Sequence, residues 1–149
     1  MREKTAKILL LFLLAIGLFY RLYGLEQNYS FWTDENHLAI FARAILERGR
    51  PVLANGYHTG AYQWLLYWLT AASMKIFGVN ELAARLPAVF FGVLTIGAVY
   101  LLGKKLFINS STAEESRPTA EVFIPLAATF LTAFLNIEII FSRQARPYQ

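Results

Sequence analysis

Asp34 and Glu35, adjacent in Trp32-Thr33-Asp34-Glu35, are the residues of this sequence best suited to chemistry. Thr33 can N-cap a helix whose first turn holds both carboxylates, where they favour the positive end of the helix dipole. At about 100° per residue, Asp34 heads a stripe formed by Leu38, Phe41 and Ile45, flanked by Ala42 and Leu46. Asp34 is therefore expected to face protein or bilayer rather than water. A carboxylate facing that way calls for a cationic or metal partner, or keeps its proton. Either condition suits a general base or a metal ligand; the plainer alternative is helix-start capping.

Arg143, Arg146 and Tyr148 form a second group, in Ser142-Arg143-Gln144-Ala145-Arg146-Pro147-Tyr148. Two guanidiniums three residues apart can share a helical face and grip a phosphate. Arginines also end membrane helices and meet lipid phosphates without further function. His58, in Asn55-Gly56-Tyr57-His58-Thr59-Gly60, can ligate a metal or bond a phosphate, or be a plain loop histidine. His37 has no partner identifiable from the sequence. Glu138 falls inside an apolar run, where an ionisable residue is a functional candidate by default. One turn before Ser142, it can also simply orient Arg143 or Arg146.

The elements around these residues belong to a membrane protein. Of 149 residues, 56% are apolar, 15% aromatic and only 16% charged, where soluble domains average about a quarter charged. Mean hydropathy is +0.41. A water-facing surface of this composition would carry large apolar patches, which argues against a soluble enzyme and against disorder. There is no cysteine, which removes disulfides, Cys-ligated zinc, iron–sulfur clusters and thiol catalysis. The net charge of +4 suits lipid head groups or an anionic substrate rather than nucleic acid, for which there is no motif.

Three spans are expected, over residues 6–25, 86–103 and 122–142, the last carrying Glu138. The first could also be read as a signal peptide. No small-x-small cleavage site follows, so a retained anchor is expected. Pro87 is placed in the first turn of the second span. Between the first two spans, the helix that starts at Thr33 is amphipathic, with Asn36, Arg43 and Glu47 on its polar face, and ends at Gly49 and Pro51. Residues 60–74 are uncharged and crowded with Tyr62, Trp64, Tyr67 and Trp68; they either span or lie in the interface. The Lys/Arg distribution does not decide: six inside and eight outside if they lie flat, seven and seven if they span. The polar ending after an apolar run suggests the N-terminal part of a longer polytopic protein.

In this order the pieces resemble the start of a GT-C fold membrane glycosyltransferase of the protein O-mannosyltransferase and aminoarabinose transferase family. The resemblance rests on Trp32-Thr33-Asp34-Glu35, on Gly49-Arg50-Pro51, and on Ile76-Phe77-Gly78-Val79-Asn80-Glu81-Leu82-Ala83-Ala84-Arg85-Leu86-Pro87. It continues through Leu102-Gly103-Lys104-Lys105-Leu106-Phe107 to the segment Ser142–Tyr148. It implies an all-α polytopic membrane protein, of which this N-terminal portion has three spans, two juxtamembrane helices and an external loop at 26–85. It further implies inverting transfer of a sugar from a polyprenyl-phosphate donor to a hydroxyl of a protein or glycolipid acceptor. Transfer would occur at the external or periplasmic face of the plasma (inner) membrane, by a complete protein of which this stretch alone is inactive.

By resemblance Asp34 is the base, Glu35 assists it or binds a metal, and Arg143, Arg146 and Tyr148 lie near the donor phosphate. A divalent metal ion is the candidate cofactor. Relatives often carry a Lys-Pro-Pro-like segment where this sequence reads Tyr57-His58-Thr59-Gly60-Ala61. The cationic contact of that loop thus falls to His58 or is absent, leaving the sugar and the metal requirement open. The competing readings are a transporter or flippase-like protein, which would show paired broken helices, and a non-catalytic membrane subunit or truncated product.

Overall fold

A computed structural model describes residues 3–25, 33–58, 64–109 and 120–145. Six helices account for nearly all of them: α1 Glu3–Leu22, α2 Thr33–Arg48, α3 Trp64–Phe77, α4 Glu81–Asn109, α5 Ala120–Phe134 and α6 Asn136–Ser142. Among the described residues no strand forms beyond one isolated antiparallel bridge, Val52 to His58. The chain divides into two compact units, Met1–Arg21 with Gly92–Ile139, and Leu22–Phe91 with Ile140–Gln149.

In the first unit, α1 packs with the C-terminal part of α4 and with α5 around Ala6, Leu13, Tyr100 and Leu126. Two close approaches use glycines. Gly103 lies so near α5 that an added Cβ would stand 3.2 Å from the Cα and Cβ of Pro125, and one at Gly17 would stand 2.5 Å from Ile96 Cδ1. The outward faces are apolar, with Ile8, Leu11, Phe12, Leu101 and Phe123 exposed. Lys4–Leu22 and Glu81–Leu106 are long and apolar enough to cross a membrane. At 1.5 Å per residue, twenty residues match a hydrocarbon core of about 30 Å.

The third expected span is not one straight helix. It breaks at Leu135 into α5 and α6, which meet at 57°; taken as one bent span, the pair would be the third.

In the second unit, α2 packs on α3. Leu38, Phe41, Ala42 and Ile45 of α2 meet Tyr67, Ala71 and Met74 of α3, with Ala83, Ala84 and Ala145 closing the core. Each large side chain so buried contributes roughly 1.5–3 kcal/mol. Gly49 ends α2 with φ 70°, its N–H returning 2.8 Å to Ile45 O. At fourteen residues, α3 is about 21 Å long, too short to cross. Its packed face of Tyr67, Thr70, Ala71 and Met74 lies opposite an outward stripe of Trp64, Leu65, Trp68 and Ile76.

Asn80 caps α4, its Oδ1 accepting from the Ala83 N–H at 2.8 Å. The helix thus begins at Glu81, and Pro87 lies inside it rather than in its first turn. Proline has no N–H for the carbonyl four residues back. That carbonyl, Ala83 O, accepts instead from Ser73 Oγ of α3 at 2.6 Å.

Candidate functional site

The polar centre of the second unit is a buried ion pair between α2 and α4. Arg85 Nε donates to Glu35 Oε1 at 3.0 Å and Nη2 to Oε2 at 3.4 Å. The two side chains are only 2% and 1% exposed. Two more segments join them. Arg85 Nη1 donates to Leu25 O at 3.3 Å, and the Ala145 backbone N–H donates to Glu35 Oε1 at 2.9 Å. Glu81, one turn before Arg85, approaches its Nη1 at 3.5 Å. One carboxylate thereby ties the start of α2 to the chain that leaves α6.

The packed position expected of Asp34 is taken by its neighbour. Asp34 is exposed, and its neighbour Glu35 is buried. The helical wheel sets the angle of Asp34 around α2, but not how far along the axis the packing partners reach. In the first turn they reach only the side that Glu35 occupies, where Arg85 receives it. Glu35 has both oxygens engaged by protein donors. Among the described residues no group of three or more His, Asp or Glu is placed to hold a metal ion.

His58 is exposed at the end of a tight loop. Leu53 N–H bonds Tyr57 O at 2.9 Å, Gly56 takes φ 81°, and the Tyr57 N–H bonds Asn55 Oδ1 at 3.0 Å. Arg143 is half-buried in the turn after α6, two residues before the N–H that binds Glu35. Arg146 and Tyr148 lie outside the described residues. The structure therefore brings the acidic pair and the Arg143 turn into one unit, linked through Glu35 and Ala145, and sets His58 in the same unit.

Two residues of this unit escape sequence reasoning. Arg85 reads as the flank of a span; the one signal is an arginine set directly between Ala84 and Leu86 in an apolar stretch. His37, one turn beyond Asp34, has Nδ1 3.3 Å from the Tyr67 hydroxyl and its ring 4.7 Å from that of Phe41. Glu138, in the other unit, lies close enough to Arg21 for their charges to interact.

Helices fit to cross a membrane, and a second unit built around a buried carboxylate–guanidinium pair, define an all-helical membrane protein. Residues 64–142 match the family described as dolichyl-phosphate-mannose-protein mannosyltransferase. The chain belongs to that family. It is also 33% identical over 110 residues to an uncharacterized protein of Aquifex aeolicus (strain VF5), an alignment covering 72% of this chain. The chain spans 22% of the length of that curated relative. No solved structure gives a significant match. The family match includes Arg85 and stops one residue before Arg143; Asp34, Glu35 and His58 precede it.

Proposed function

We propose that this chain forms the acidic loop and part of the donor-phosphate site of a membrane glycosyltransferase with the GT-C fold. The reaction is inverting transfer of a sugar from a polyprenyl phosphate to an acceptor hydroxyl of a protein or glycolipid, at the external face of the membrane. Such transfer needs a more nucleophilic hydroxyl and a stabilised phosphate leaving group. Asp34, exposed at the head of α2, takes the acceptor proton, which as general base is typically worth ~10²–10⁴-fold in rate. Arg143, Arg146 and Tyr148, with His58 as the loop contact, stabilise the leaving phosphate electrostatically. Glu35 acts indirectly, holding the segment that carries Arg143 beside Asp34. In this reading α3 lies in the interface with Trp64 and Trp68 at head-group level, and the α5–α6 pair is the third span.

The observation that carries the proposal is the 2.9 Å hydrogen bond from the Ala145 N–H to Glu35. It joins the residue next to the base to the chain two residues beyond Arg143. The test is Asp34→Asn in the complete protein, assayed for transfer from polyprenyl-phosphate sugars. Loss of transfer with normal insertion is expected, and near-wild-type turnover refutes the role of Asp34. The broken α5–α6 pair is one feature that a transporter would also show, but family membership favours the transferase.

A further inference from the structure

The bend at Leu135 lies in a stretch without proline or glycine, where the Thr132 hydroxyl back-bonds to Ala128 O at 2.9 Å and can itself bend the helix only slightly. Sharp helix kinks arise at proline, at Gly/Ser pairs, at π-bulges, or where a side chain enters the i→i−4 ladder. Residues 126–145 contain no proline and no glycine, and Pro125 lies ten residues upstream. Leu135 N–H still reaches Leu131 O at 2.7 Å, and the ladder resumes with Ile139 N–H on Leu135 O at 3.1 Å. In an unbroken helix the intervening carbonyls of Thr132, Ala133 and Phe134 would accept from Asn136, Ile137 and Glu138. Here the first two accept from Arg21 of α1: Nη2 to Thr132 O and Nη1 to Ala133 O, each at 3.4 Å.

The surroundings of Arg21 are built for this contact. The side chain is fully buried, and Nη1 also bonds Gly17 O one turn back at 3.2 Å. Tyr20 packs edge-on against Phe134 at 5.8 Å, and Glu138 in the first turn of α6 places its charge near the guanidinium. A cation at the C-terminal end of α5 meets the negative end of its dipole.

We propose that Arg21 is a positioning residue: by holding the Thr132 and Ala133 carbonyls it keeps the last apolar run broken at Leu135 and sets the direction of α6, which leads into Arg143. The consequence for transfer rests on the function proposed above; the bend does not.

The test uses the full-length protein in lipid bilayers, with spin labels at the exposed positions Phe123 and Ile140. A straight helix would separate these backbone positions by about 25 Å, and the bent pair brings them closer. Arg21→Met is expected to lengthen the distance toward the straight value, and Arg21→Gln, too short to bridge both carbonyls, to do the same should the first variant fail to insert. Arg21→Lys, with a point charge in place of the fork, is expected to fall between. Transfer should drop by up to about 10²-fold, the scale of an ångström misplacement at a reacting centre. The KM for the donor should rise while that for the acceptor stays unchanged. An unchanged distance in Arg21→Met or Arg21→Gln overturns the clamp. A lengthened distance with normal donor kinetics overturns the positioning role. If the wild-type protein transfers no sugar, the function fails and the distance still decides the clamp.

Discussion

Glu35 and Arg85, fifty positions apart in sequence, form a two-pronged ion pair with bonds of 3.0 and 3.4 Å from which water is excluded. A buried pair of this kind is weak evidence for stability, because desolvation offsets much of the attraction. Its clearer effect is on geometry. The same carboxylate accepts the Ala145 N–H, so the start of α2, the start of α4 and the turn after α6 have one arrangement in which all these bonds are made.

Breaking the pair from one side leaves a buried charge without its closest partner. Arg85→Met and Glu35→Leu should each destabilise the protein by about 3–5 kcal/mol. The double variant should lose much less than their sum, since no lone charge remains. Unfolding of the four proteins in detergent measures the coupling; strictly additive losses would show that the pair does not act as a unit.

Asp34 and Glu35 should separate cleanly in function and stability. Asp34 is exposed, so Asp34→Asn should change stability by no more than about 0.5 kcal/mol while removing ~10²–10⁴-fold of transfer. Glu35→Gln should lower the unfolding temperature, and with it the amount of inserted protein, because it removes the buried counter-charge of Arg85 and leaves only the half-exposed Glu81. Paired measurements of Tm and turnover distinguish them. Equal loss of Tm in both would mean that Asp34 is as structural as its neighbour.

Ser73 and Pro87 are expected to be coupled although they do not bond each other. Ser73→Ala deprives Ala83 O of the hydroxyl it uses in place of the missing proline N–H, at a loss of about 1 kcal/mol. In a Pro87→Ala background the helix supplies its own N–H, and Ser73→Ala should then be close to neutral. Thermal unfolding of the double variant decides this.

The two close-packed glycines of the first unit should respond differently to alanine. At Gly103 the new Cβ would stand 3.2 Å from the Pro125 backbone, which cannot give way locally, and a loss of about 1–3 kcal/mol is expected. At Gly17 the nearest atom is the flexible tip of Ile96, and the gain in helix propensity, up to about 1 kcal/mol, offsets the shift. Gly103→Ala should therefore lower Tm well below Gly17→Ala.

Local signals in the sequence were sufficient for the helices themselves. The helix start at Thr33, the apolar stripe through Ile45 and the stop at Gly49 all depend on signals within a turn or two. So does the largely apolar composition, with charges only toward the ends, that marks residues 4–22 and 81–106 as candidate spans. The candidate chemistry was legible as residue types, in the acidic pair and the arginine-rich ending. Which carboxylate is buried was not, because that depends on which side of the first turn of α2 the packing partners reach, and there Arg85 meets Glu35. His37 found Tyr67 thirty positions away, and Arg85 found Glu35 fifty away. The break at Leu135 has a helical sequence on both sides and takes its cause from Arg21, more than a hundred positions earlier. Periodicity, caps and composition act over a few residues and so belong to the sequence. A buried ion pair or an intruding guanidinium exists only once separate helices have packed, and those contacts were decided by the tertiary structure alone.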